Sequence, residues 1–153
     1  MAADKLRVLF LCTGNSARSQ MAEALVNARM GERWLAFSAG VAPTGRVNPN
    51  AIRALEELGI QHAGESKHVN QFLDDEFDLV VTVCDDAAEK CPVWVGKGKR
   101  EHLNFPDPAK VSGTDEEVLR VFRQVLNDIS VKIPALLREK ERSLQGKQDN
   151  PNL

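Results

Sequence analysis

Tyrosine is absent from these 153 residues, and only three cysteines are present. Neither sign of charge dominates: 20 Lys and Arg stand against 22 Asp and Glu, a net charge of −2. A protein that holds nucleic acid by bulk charge needs a basic excess, so no nucleic-acid partner is expected. No apolar run approaches the roughly 20 residues of a membrane span. The opening Met-Ala-Ala-Asp-Lys-Leu-Arg lacks the apolar core of a secretory signal. The expectation is therefore a cytoplasmic monomer that does not touch membrane. An odd cysteine count in a reducing compartment argues against a static disulfide framework. The thiols should be buried, metal-binding or reactive. What remains is ordinary for one soluble domain, with 42% hydrophobic and 27% charged residues.

Strand-like and helix-like segments alternate. Arg7 to Leu11 is almost wholly apolar, as in a strand buried on both faces. Ser19 to Met30 carries Met21, Ala22, Leu25 and Ala28 at helical spacing before Gly31. Trp34 to Ser38 reads as a second strand. Asn48-Pro49 reads as an N-cap and first helical position, opening a helix that buries Ile52, Leu55 and Leu58 and stops at Gly59. Phe77 to Val83 is a third strand and Glu101 to Asn104 a fourth. Thr114 with Glu117 makes a capping box. Val118, Phe122, Val125, Ile129, Ile133 and Leu136 then form one stripe, in a helix that Pro134 should kink or split. The pattern predicts one catalytic α/β domain over residues 1–142, a parallel sheet with helices on both faces, and a polar, frayed tail over 143–153.

Ligands of such sheets bind beyond the carboxyl ends of the strands. Cys12 follows the first strand, Cys84 the third, and Asp107 the fourth. Cys12, Thr13, Gly14, Asn15, Ser16, Ala17, Arg18 and Ser19 join the first strand to the helix that follows. Gly14 and Asn15 tolerate positive φ, so this loop can curl and point consecutive N–H groups inward as an anion nest. The helix N-terminus adds further N–H groups, and Arg18 a planar fork suited to a tetrahedral oxyanion. A cysteine beside a helix N-terminus and an arginine exists partly as thiolate, the nucleophilic form. Ser19 can donate a hydrogen bond to that sulfur. A single Cys ending a strand would read as a core thiol; Cys, five residues, then Arg-Ser in a strand–loop–helix context reads as a site.

Leu11 to Glu23 (LCTGNSARSQMAE) resembles the phosphate-binding loop shared by low-molecular-weight protein tyrosine phosphatases and thioredoxin-coupled arsenate reductases. The resemblance continues through Ser38-Ala39-Gly40, Asn48 to Ala51, Val80 to Pro92 and Lys99 to Ala109. It implies a four-stranded parallel sheet with flanking helices, Cys12 as nucleophile, Arg18 as oxyanion ligand and Asp107 as general acid. Reducing arsenate takes two electrons, the number released when two thiols become a disulfide. The resemblance implies that Cys84 and Cys91 match the second and third redox cysteines of the reductases, with thioredoxin as the external reductant and no tightly bound cofactor. If Asp85 to Lys90 were helical, these two cysteines would stand about 10 Å apart along the axis. A disulfide spans at most about 7 Å between Cα atoms, so the segment must unwind or loop out on oxidation.

The alternative is a phosphatase acting on phosphate monoesters through Cys12, Arg18 and Asp107 alone. A third class is a non-catalytic oxyanion-binding or redox-sensing module. A phosphotyrosine slot is usually lined by a Tyr after the Asp-Pro, where this chain has Ala109. Trp34 and Trp94 remain as possible aromatic walls. Some similar reductases carry a further Cys where Ala17 stands, a position the electron count does not need. Some relatives bind potassium near the loop, and Asn15, Glu23 and Ser38 match that site, while its acidic fourth position is filled by Lys67 or His68. His62, His68 and His102 are scattered, and Cys84 and Cys91 lie too far apart for the usual structural zinc pair. Lys97, Lys99 and Arg100 read as a solvated basic loop, Asp74 to Glu76 as a solvated segment before the third strand, and Glu139 to Arg142 as the charged end of the last helix.

Overall fold

The computed structural model describes residues 5–85 and 92–149, with side chains described through residue 144. Strand β1 (Leu6–Cys12) is buried from Val8 to Cys12, since a central parallel strand covered on both faces has no outlet for polar groups. It pairs with β2 (Trp34–Gly40) from Leu6↔Trp34 to Cys12↔Gly40. On its other side it pairs with β3 (Leu79–Thr82) from Val8↔Leu79 to Leu11↔Thr82. β4 (Lys99–His102) closes the sheet beside β3. All pairings are parallel, in the order β2-β1-β3-β4.

Strand alternation sorts the core into two layers. Val8, Phe10 and Cys12 join Val81 in the larger one, with Met21 and Leu25 of α1 (Arg18–Arg29), Ala51 and Leu55 of α2 (Pro49–Glu57), and Phe122, Ile129 and Ile133 of α3 (Asp115–Asp149). Leu9, Leu11 and Val80 face the other way, onto Phe72, Phe77 and Trp94. Helices thus stand on both faces, three α-helices on one and a single 3-10 turn (Val69–Phe72) on the other among the described residues. No helix among them is long and apolar enough to cross a membrane.

Several local expectations need correcting. β2 runs on to Gly40 because its ladder with β1 continues to Cys12. β3 is shorter than its apolar run; Phe77 and Val83 are buried by packing outside the ladder. β4 begins at Lys99, so Lys99 and Arg100 form an exposed edge strand rather than a loop, and charge there discourages further pairing. α2 ends at Glu57 and turns Leu58 outward, 45% exposed. Its buried face is Ala51, Ala54 and Leu55, small enough to bring it close to α1 and α3. Pro134 does not split α3, whose buried Ile129, Ile133 and Leu137 carry one packed face past it. The helix also continues from Ser143 to Asp149, where a frayed tail was expected. Half of the capping box forms as expected: Glu117 N donates to Thr114 Oγ1 at 3.2 Å, while Glu117 Oε1 accepts from the Thr114 hydroxyl at 3.0 Å.

Phe122 is fully buried between α3 and the sheet, whereas Val131 on the same helix is 63% exposed. Phe122→Ala should destabilise the protein by about 3–5 kcal/mol. Val131→Ala should change stability by less than about 0.5 kcal/mol. Urea unfolding reads both, and equal midpoints for the two variants would contradict the assigned core.

Candidate functional site

The site begins where β1 ends. The four carbonyls that follow Cys12 are all tied away from it. Thr13 O accepts from Ala42 N at 2.9 Å, Gly14 O from Thr44 N at 3.0 Å, and Ser16 O from Asn48 N at 2.8 Å. Asn15 O accepts from Gln20 Nε2 at 3.1 Å, and Ser66 Oγ adds a second bond to Gly14 O at 3.2 Å. Each peptide plane has its N–H opposite its C=O, so carbonyls fixed outward leave the amide side of the loop toward Cys12. Asn15 N donates to Cys12 Sγ at 3.3 Å. Asn15 makes the turn at φ 46°, the only non-glycine residue with positive φ among those described; Gly14, expected to share that role, does not. Helix α1 then starts with no side-chain cap and no acidic residue in its first turn. Its N-terminus therefore keeps its attraction for an anion.

Gly40 makes the approach possible. A Cβ there would stand 2.5 Å from Thr13 O and 2.9 Å from Asn15 N. The Ser38-Ala39-Gly40 run thus ends in glycine because the loop's backbone lies directly over the end of β2.

Ser19 Oγ lies 2.8 Å from Cys12 Sγ. Asn15 Nδ2 donates into the same hydroxyl at 2.9 Å, which directs the Ser19 proton at the sulfur. Arg18 is buried; its Nη1 donates to Phe105 O at 3.1 Å and its Nη2 lies 3.7 Å from Asp107 Oδ2. Asp107 caps a 3-10 turn (Pro108–Lys110), its Oδ1 accepting from Ala109 N at 3.0 Å. One carboxylate oxygen is thereby anchored while the other faces the guanidinium. The structure brings Cys12, residues 13–17, Arg18, Ser19 and Asp107 to one end of the sheet.

Cys84 is buried two residues past β3. Val83 N donates to Leu11 O at 2.9 Å, so the chain leaves the sheet alongside Cys12. Cys84 is disulfide-bonded and Cys12 is free. Cys91 lies outside the described residues, as do residues 86–90 and the expectation that this segment unwinds or loops out.

Trp34 is remote from the site, and Trp94 packs in the core layer that does not contain Cys12. Trp34 begins β2, six ladder positions from Gly40, or about 20 Å. It is fully buried and donates to Glu141 Oε1 at 2.8 Å. Trp94 packs edge-on against Phe77, with ring centroids 5.8 Å apart, and donates to Lys97 O at 3.0 Å.

The residues matched to a potassium site do not fit a cation. Asn15 Oδ1 already accepts from Gln20 Nε2 at 2.9 Å and from Lys67 N at 2.7 Å. Glu23 accepts from Ser38 Oγ at 3.2 Å and has the Lys67 ammonium 3.9 Å away, a positive charge already supplied by the chain. Burial pushes the Glu23 carboxyl above its ordinary range, with Lys67 opposing. His62, 3.8 Å from Glu23, is held below its usual value by burial and then by Lys67.

Gln20 and His62 are the residues that reading the sequence missed as contributors to the loop, and Lys67, noted there only at the fourth position of a cation site, also bonds it through its backbone. Gln20 reads there as one polar residue in a helix start. His62 and Lys67 reach the site from 42 and 52 residues away, and no local pattern announces such contacts.

A family model described as low molecular weight phosphotyrosine protein phosphatase matches residues 7–149. The arsenate reductase of Halalkalibacterium halodurans is 46% identical over 131 residues, covering 85% of this chain and 94% of that protein. A solved structure described as an arsenate reductase in the phosphate binding state is 30% identical and covers 88% of this chain and 98% of its own, with a TM-score of 0.73. A low molecular weight protein tyrosine phosphatase from T. tengcongensis is 27% identical over 88% of this chain and 99% of its own, with a TM-score of 0.68. One fold therefore carries both chemistries, and side chains at the site must separate them.

The contact under Gly40 generates a direct test. Gly40→Ala should displace the loop and weaken inorganic phosphate binding on the order of 100-fold, with the helical circular dichroism retained. Calorimetric titration of the folded variant measures it, and an unchanged affinity would show that the loop does not depend on that approach.

Proposed function

The chain belongs to the low molecular weight phosphotyrosine protein phosphatase family, and from that premise we propose that it reduces arsenate to arsenite through a relay of three thiols. The observation that carries this reading is the placement of Cys84 where β3 leaves the sheet beside the Cys12 loop. A hydrolase needs only the first cysteine. Two adjacent central strands that each lead into a cysteine suit a two-electron transfer.

Arsenate has the charge and shape of phosphate, so it enters the amide side of the loop with Arg18 holding its oxygens. Cys12 sulfur attacks arsenic. A sulfur–arsenic bond forms and an arsenic–oxygen bond breaks, the oxygen leaving as water with a proton from Asp107. The Cys84 thiolate next attacks Cys12 sulfur. A disulfide forms, the sulfur–arsenic bond breaks, and its electron pair departs with arsenic, which leaves as arsenite. Cys91 then attacks Cys84 and frees Cys12 as a thiolate. An external dithiol of the thioredoxin type reduces the remaining disulfide, so the cycle needs no bound cofactor.

The phosphotyrosine reading is weaker because Trp34 lies at the far end of β2 from the loop, Trp94 packs in the core layer that does not contain Cys12, and the residue after Asp107-Pro108 is alanine. An aromatic ester would find no aromatic wall from Tyr or Trp among the described residues. The discriminating assay couples arsenate reduction to NADPH consumption through thioredoxin and its reductase. Sustained arsenate-dependent NADPH oxidation supports the proposal; phosphotyrosine hydrolysis without arsenite formation would overturn it.

Two substitutions divide the cycle. Asp107→Asn should slow adduct formation about 10²–10⁴-fold in single turnover and leave thiol exchange between Cys84 and Cys91 nearly intact. Cys91→Ser should give about one arsenite per molecule and then stop with Cys12 linked to Cys84. Peptide mass spectrometry after arsenate treatment reads the linkage. Full multiple turnover without Cys91 would contradict the relay.

A further inference from the structure

Gln20 is fully buried in the first turn of α1, and the reaction sequence above gives it no part. Its amide is nevertheless saturated. Nε2 donates to Asn15 O at 3.1 Å, Asn15 Oδ1 at 2.9 Å and Glu65 O at 2.8 Å. Oε1 lies 2.7 Å from His62 Nε2. An amide oxygen only accepts, so His62 must donate from Nε2. Three acceptors on one side and a donor on the other permit a single orientation of the Gln20 amide.

That orientation passes along the loop. With Asn15 Oδ1 held by Gln20 Nε2 and by Lys67 N, the Asn15 amide must turn Nδ2 toward Ser19. Ser19 Oγ then accepts from Asn15, and its proton points at Cys12 Sγ, 2.8 Å away. We propose that Gln20, oriented by His62, is the positioning residue that sets the hydrogen-bond direction of the oxyanion loop, so that Ser19 donates to Cys12 and the amide side stays open to the anion. The proposal rests on the oxyanion-loop reading above. Burial, and then Lys67, lower the His62 pKa and so favour the neutral ring, which suits a side chain that must donate from one fixed nitrogen.

Gly64 provides an independent sign that this contact is built. A Cβ at Gly64 would overlap both His62 Nε2 and Gln20 Oε1. The chain therefore carries glycine where the two side chains meet.

The test uses the full chain and inorganic phosphate as the probe, so its outcome does not depend on whether arsenate is reduced. Gln20→Met removes the donors at similar volume and should raise the phosphate dissociation constant roughly 10- to 100-fold, as for loss of two or three hydrogen bonds. KM for arsenate should rise with it by more than kcat falls. His62→Leu should weaken binding in the same direction, and His62→Gln, which keeps a donor, should weaken it less. Gly64→Ala should act like His62→Leu and reads the contact if Gln20→Met does not fold. A purely structural role would lower the melting temperature and leave the affinity of the folded protein unchanged. That result in Gln20→Met, or equal effects of His62→Gln and His62→Leu, would overturn the proposal.

Discussion

Four consecutive carbonyls held away from Cys12 are the constraint on which the site depends. The backbone between β1 and α1 has few residues in which to reverse the usual alternation of peptide directions, and it does so only because each oxygen finds a donor elsewhere. Those donors come from the segment after β2, from the N-cap of α2, from Ser66 and from Gln20. Buried carbonyls left without partners would each cost about 1–3 kcal/mol, enough together to unmake the loop. The glycine at the end of β2 answers to the same loop, whose backbone lies where a Cβ would stand. Those donors stand around the outside of a loop whose inside must stay free for an anion.

The sheet supplies the second half of the chemistry. β1 and β3 are the two central strands, and each runs into a cysteine at its carboxyl end. The oxyanion chemistry gathers at the end of β1, where backbone amides, Arg18 and Asp107 converge. On the proposed reading, the redox chemistry belongs to the end of β3, where Cys84 is buried. β1 and β3 are neighbours in the sheet, and Val83 N still bonds Leu11 O where the chain leaves it. A phosphatase can do without the second element, which explains how one architecture serves both hydrolysis and reduction.

The sequence exposes those parts of the molecule whose causes are local. The apolar runs of β1 and β3, the Asn48-Pro49 start of α2, the Thr114–Glu117 cap and the Cys12–Arg18 spacing are each decided by neighbours within a few residues. Features decided by packing were harder to see. Leu58 has the spacing of a core residue, but α2 ends before it, and two alanines take the buried face instead. Pro134 carries a local preference for breaking a helix that the packed face of α3 overrides. Lys99 and Arg100 look like loop because an exposed edge strand favours charge. Within the site, Gln20 and His62 escaped notice because their meeting spans 42 residues of chain.

The most direct test of the account is a thiol count before and after a single exposure to arsenate. Fully reduced protein, with no external reductant, carries three thiols. The account predicts that arsenate leaves one titratable thiol per molecule and releases one arsenite, while phosphate changes neither number. Arsenite formed without loss of two thiols, or thiols retained after exposure to arsenate, would contradict it.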